Sequence, residues 1–203
     1  MYKRQGITDV SALGNVHTLN LSRCTGITDV SALGNVHTLN LWDCTGITDV
    51  SALGNVHTLD LSECTDITDV SALGNVHTLN LSECTGITDV SALGNVHTLD
   101  LSYCNITCIR GLTSIVNLKA NDCEYLKEIV DLPNVTTIDA SQCIMLELLD
   151  SLPNLQRLNA MNCTRLLEIR GIPDIVKDMN LIGCESLRSI TSKNSKQTFR
   201  SAY

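Results

Sequence analysis

A chain of 203 residues with net charge −8, one Trp, one Phe and four Tyr has too few aromatics for an ordinary aromatic-rich core, so Leu, Val, Ile, Ala and Cys must fill the interior. No run approaches the ~20 apolar residues of a membrane-spanning helix, and Met1 is not followed by the apolar stretch of a secretory leader. The charge is uneven: residues 1–104 carry three Lys/Arg against eleven Asp/Glu, residues 105–203 eleven of each, and so acidic a first half repels phosphate backbones and disfavours nucleic acid as a partner.

The first five residues, Met1-Tyr2-Lys3-Arg4-Gln5, match what a sequencing-adapter sequence would encode. They read as non-native or as the stub of a partial repeat, with further repeats expected upstream. From Gly6 to Cys104 one 20-residue unit is written five times, restarting at Gly26, Gly46, Asp66 and Gly86. A fixed period of this size marks a stacked-repeat solenoid, in which each unit buries its apolar edge against its neighbours. Alternation around Leu19 and Leu21 predicts a short strand with those side chains inward and Thr18, Asn20 and Ser22 outward. After Cys24 the chain turns at Thr25-Gly26. Ile27, Val30 and Leu33 then return inward, with Thr28-Asp29 and Gly34-Asn35 as turn chemistry. Twenty residues leave little room for an α-helix opposite the strand, so turns or brief 3₁₀ segments are expected there.

Residues 105–190 keep the plan and lose the wording. Cys104, Cys123, Cys143, Cys163 and Cys184 hold the spacing, preceded by Leu118/Ala120, Ile138/Ala140, Leu158/Ala160 and Met179/Leu181 at the inward strand positions. Leu132-Pro133-Asn134 and Leu152-Pro153-Asn154 replace the earlier turns, with Pro fixing φ. Nine rungs about 4.8 Å apart would stack into one rod on the order of 40 Å long. Residues 6–190 are expected to form a single solenoid, and 191–203 a polar cap or tail. The fold class is an α/β-type solenoid, predominantly β, with one parallel sheet.

The pattern Val16-x-x-Leu19-x-Leu21-x-x-Cys24 resembles leucine-rich repeats across nearly the whole chain. Ile27-Thr28-Asp29-Val30-Ser31-Ala32-Leu33 is similar to the bacterial internalin-type turn, and Cys24 at the Asn position to the cysteine-containing subclass. The wording from Thr28 to Leu41 looks most like repeat proteins encoded in many copies by giant DNA viruses. The resemblance implies protein recognition on the strand face and supplies no catalytic residues.

Stacking turns each repeat position into a row. The cysteine row reads as small buried packing with a weak S–H donor, with disulfides or metal as the alternative; free thiols in such number favour a reducing compartment. Cys108, outside that row, reads as the likeliest reactive thiol. His17, His37, His57, His77 and His97 form a second row, a repeated surface residue or a group that protonation would drive apart. The sequons at Asn105, Asn134 and Asn162 are explained by chance in an Asn- and Thr-rich chain. The Thr-x-Asn face suggests ice binding, but Asp60 and Asp100 interrupt it with hydrated charge.

Differences among the five units gather at exposed positions and give the candidate partner-binding residues: Asn20, Asn40, Asp60 and Asp100; Trp42; and Arg23, Asp43, Glu63, Glu83 and Tyr103. Lys119 and Arg157 continue the face. Trp42 and Tyr103 are the aromatic types that dominate interfaces. Either a tunable binding surface or drift would produce this variation. No nucleophile–base set, phosphate-cradling Gly loop or metal-ligand spacing is present in the pattern, so no catalytic, cofactor or metal residues are assigned. The expected function is a non-enzymatic protein-interaction scaffold in a cytoplasmic setting, with a basic or mixed-charge protein partner and no membrane or nucleic acid. The alternatives are a self-associating structural element, joined through the N-terminal edge, and a secreted adhesin-like module.

Overall fold

The computed structural model describes residues 6–192; the expectations for residues 1–5 and 193–203 lie outside the described residues. Strands β1 (Thr18–Asn20), β2 (Thr38–Asn40), β3 (Thr58–Asp60), β4 (Thr78–Asn80), β5 (Thr98–Asp100), β7 (Asn117–Lys119), β9 (Thr137–Asp139), β11 (Arg157–Asn159) and β13 (Asp178–Asn180) form one parallel sheet in that order. Leu19 pairs with Leu39, Leu39 with Leu59 and Leu59 with Leu79, in unbroken register. The chain is a predominantly β solenoid on the leucine-rich-repeat plan.

Each rung buries the same apolar positions. In the second rung Leu39, Leu41, Cys44, Ile47, Val50, Leu53 and Val56 are all at most 2% exposed. The row continues through Leu118, Ala120 and Cys123 to Leu158, Ala160 and Cys163. One hydrophobic core therefore runs the length of the stack.

The expectation of a single sheet needs correction. A second, five-stranded parallel sheet lies opposite the first in residues 105–192: β6 (Cys108–Arg110), β8 (Glu128–Val130), β10 (Leu148–Asp150), β12 (Glu168–Ile172) and β14 (Ser189–Ser192). In the first four units the equivalent stretch is a 3₁₀ turn, at Ser11–Leu13, Ser31–Leu33, Ser51–Asn55 and Ser71–Asn75. The cause is one side chain. Asp29 Oδ1 accepts the Ser31 N–H at 2.9 Å, and Asp9, Asp49, Asp69 and Asp89 repeat the bond. Such an Asx turn bends the chain and takes a donor that a ladder would need. At the same point the later units carry Cys108, Glu128, Leu148 and Glu168, followed by β-branched or apolar residues that favour strand, and the backbone pairs between rungs instead.

Candidate functional site

All twelve expected partner-binding residues lie on the outer face of the first sheet or along its edge. Alternation with buried Leu39 and Leu41 turns Thr38, Asn40 and Trp42 outward. Three residues beyond the end of each of the first eight strands of this sheet the backbone enters the left-handed region: Arg23 (φ 64°), Asp43 (55°), Glu63 (61°), Glu83 (61°), Tyr103 (62°), Asp122 (58°), Gln142 (64°) and Asn162 (62°). This row of positive φ was not legible in the sequence, where only Gly183 in the last rung advertises it. A non-Gly side chain there costs on the order of 1 kcal/mol.

The Asn/Asp row has a structural duty. Asn20 Oδ1 accepts the Ser22 N–H, Asn40 that of Trp42, Asp60 that of Ser62 and Asp100 that of Ser102, at 3.0–3.1 Å. Asn and Asp serve equally as acceptors in this turn, which explains their alternation. Where the residue is Asp, its oxygen also accepts the serine hydroxyl, as Asp60 does from Ser62 and Asp100 from Ser102, each at 2.6 Å. Lys119 in the same row reaches Asp100 at 3.5 Å. Asn40 also donates to Asp60 at 3.1 Å.

Trp42 is not the fully exposed aromatic that the sequence suggests. It lies half-buried along the rungs, donating Nε1–H to Glu63 Oε1 at 2.8 Å, with the Arg23 guanidinium 4.2 Å above its ring. Tyr103 is 51% exposed, and the Asp122 carboxylate beside it holds its hydroxyl pKa above the ordinary value. Arg157 is exposed, and its side chain has no ion-pair or hydrogen-bond partner among the described residues. The face thus has a cluster at Arg23, Trp42, Asp43 and Glu63 and a second at Glu83, Tyr103 and Asp122.

The cysteine row is a hydrogen-bonded ladder. Cys44 Sγ donates to Leu21 O at 3.1 Å, and that carbonyl also accepts the Cys24 N–H. Cys64, Cys84, Cys104, Cys123, Cys143, Cys163 and Cys184 repeat the thiol bond to the preceding rung at 2.9–3.3 Å. From Leu21 O to Leu101 O and again at Ala160 O, the carbonyl takes both a thiol and a backbone N–H, so both lone pairs are filled, as an apolar interior demands. Burial pushes Cys44 up to about 11 and Cys84 and Cys163 to about 12, away from the reactive anion. Among the described residues no disulfide joins any of the ten cysteines. Cys108, the thiol expected to be the most reactive, also stands where its anion is disfavoured. It stands in β6, its Sγ donates to Glu128 Oε1 at 3.1 Å, and burial followed by the Glu128 charge raises its pKa, which suppresses the thiolate.

The five imidazoles stack as a column on the surface, with ring centroids 4.5–4.7 Å apart and planes 8–28° from parallel. His37, His57 and His77 each place Nδ1 3.3 Å from the next threonine hydroxyl. Slight desolvation and the flanking His97 and His57 lower the His77 pKa. The sequon asparagines Asn105 and Asn134 turn their amides onto Thr85 O and Thr113 O of the preceding rung. A shallow, mostly apolar groove of about 500 Å³ runs between Gly111, Asp131, Pro133, Ser151, Pro153 and Gly171, at the end of the second sheet. The sequence signal for it was the change from Gly-Asn to Leu-Pro turns.

No protein-family model matches the chain, and no curated protein does. Solved structures do. An internalin (InlF) from Listeria monocytogenes is 18% identical, covering 94% of this chain and 78% of that one, with a TM-score of 0.45. An internalin C2 (InlC2) from the same organism is 26% identical, covering 87% and 80%, with a TM-score of 0.43. The functional domain of InlJ from Listeria monocytogenes, described as including a cysteine ladder, is 21% identical over 83% of this chain and 52% of that one, with a TM-score of 0.34. The resemblance to giant-virus repeat proteins has no support among these matches.

Proposed function

We propose that the chain is a non-enzymatic interaction scaffold that holds a protein partner of basic or mixed charge on the outer face of the first sheet. One observation carries this reading: the left-handed row. Glycine would relieve every position with φ near 60°, and Asn or Asp tolerates it. The chain nonetheless projects Arg23, Glu63, Glu83, Tyr103 and Gln142 from that row. Backbone strain kept under long polar or aromatic side chains is characteristic of recognition sites. The row is also strongly acidic over residues 43–83, which suits a basic partner through complementary potential. The ladder of protonated thiols fits a reducing, cytoplasmic setting.

The test is a pulldown from a cell lysate with the wild-type chain, Trp42→Ala/Tyr103→Ala, and Glu63→Gly/Glu83→Gly. A partner recovered by wild type and lost by both variants supports the reading. Equal recovery of every protein by all three dismisses it. Self-association along the stack is the competing outcome, and light scattering on the wild-type chain reads it as ordered multimers.

A further inference from the structure

Residues 6–104 repeat so closely that departures from the unit stand out. Within them Arg23 is the sole Lys or Arg, and Trp42 is the sole Trp of the whole chain. The structure brings these two departures together, although they belong to different rungs: the guanidinium carbon lies 4.2 Å from the Trp42 ring centroid. Neither residue is needed to build a rung. Ser22, Ser62, Ser82 and Ser102 stand at Trp42's position and acids stand at Arg23's in the next three units, with the same backbone.

The pair is poorly satisfied as a structural contact. Arg23 Nε is buried without a hydrogen bond, and its carboxylate neighbour Asp43 is 3.9 Å away, beyond hydrogen-bond reach. Arginine also has to adopt φ 64° to get there. The ring itself is held firmly, by Nε1–H to Glu63 at 2.8 Å and by its backbone N–H to Asn40 Oδ1 at 3.0 Å. A fixed indole face flanked by carboxylates is a cation-recognition surface, and arginine is the cation that stacks on it best.

We propose that the Trp42 ring, flanked by Asp43 and Glu63, is a binding site for a guanidinium supplied by the partner, and that Arg23 is its internal stand-in, displaced on binding. This rests on the partner-face reading above and names the chemistry recognised there. Two consequences follow from the geometry. Removing Arg23 frees the ring and tightens binding of an arginine ligand, contrary to the usual effect of deleting an interface residue. Lysine, which does not stack in a plane, gains less from the same deletion.

The experiment titrates a hexa-arginine peptide, and hexa-lysine for comparison, into the full chain. Calorimetry gives affinity, and emission of the single tryptophan gives location. The variants are Arg23→Ser and Arg23→Ser/Trp42→Ser; serine at Trp42's position is native to four sister rungs. The expected result is hexa-arginine binding about fivefold tighter in Arg23→Ser than in wild type, with a saturable change in Trp42 emission. In the double variant that gain disappears, although the net charge is the same as in Arg23→Ser. Equal affinity in the single and double variants, or a silent Trp42, overturns the guanidinium site. The partner-face reading survives that result, because the pulldown also tests it at Tyr103 and Glu83, outside this site.

Discussion

In the rungs of Asp29, Asp49, Asp69 and Asp89 the stretch opposite the first sheet is tied off by a carboxylate on a serine N–H; in the rungs of Cys108, Glu128, Leu148 and Glu168 the same stretch is a strand. Both regions bury the same inward positions and carry the same thiol ladder. The difference shows that the core fixes where the chain must return, while a single polar side chain decides whether its backbone donors go inward to a local turn or sideways to the next rung. The near-identical region thereby keeps the backbone hydrogen bonds of that turn within the unit. The divergent region is laced on two sides.

The largest expected effect tests whether the two regions share one core. Leu79→Ala and Leu158→Ala should each lose about 2–5 kcal/mol, since both side chains are at most 2% exposed. Urea unfolding should remain a single transition in each; two separated transitions would divide the stack at residue 105. Next comes the ladder. Cys84→Ala strips the second donor from Leu61 O, and Cys143→Ala strips the thiol donor from Ala120 O, at about 1–3 kcal/mol each. Serine at either site keeps a donor and should cost less. Glu83→Gly should run the other way and add up to about 1 kcal/mol of stability by relieving φ 61°.

The smallest effects are those of pH, and they belong to the first region. Hydrogen bonds from Ser31, Ser51, Ser71 and Ser91 hold Asp29, Asp49, Asp69 and Asp89 below the ordinary carboxyl value of 3.8. Their contribution is whole above that value and is lost as pH falls through the lower folded one. His77 sits below its ordinary 6.5 because its charged form is disfavoured beside His57 and His97. Its contribution is therefore complete above 6.5 and declines as pH drops through the folded value. Thermal melts of wild type and His77→Gln should diverge between pH 7.5 and 5. Parallel curves would show that the stacked imidazoles titrate independently.

The solenoid, its inward rows and the cysteine register were legible from the sequence, because a 20-residue period leaves one way to bury Leu39, Leu41 and Cys44 together. The second sheet was not, although its signal was present: the substitution of Asp by Cys108, Glu128, Leu148 and Glu168. Pro133 and Pro153 mark turns there, but they lie after the strands rather than within them. On the candidate face the sequence located the variable positions and misjudged their freedom. Asn40 and Asp60 are held by turn bonds, and Trp42 is pinned between Arg23 and Glu63. Dihedral angles leave no mark in a row of Arg, Asp, Glu and Tyr, so the left-handed edge stayed hidden.

Because Thr38, Leu39 and Asn40 meet the same kind of partners as Thr58, Leu59 and Asp60 one step along, excising or duplicating a whole 20-residue segment between Thr45 and Thr85 creates no backbone junction that the molecule does not already contain. Recombination between near-identical coding copies can lengthen or shorten the array without inventing a new backbone junction, and each event shifts Trp42 relative to Tyr103 by one rung. Copy number is then a heritable ruler for the distance between the two aromatic anchors.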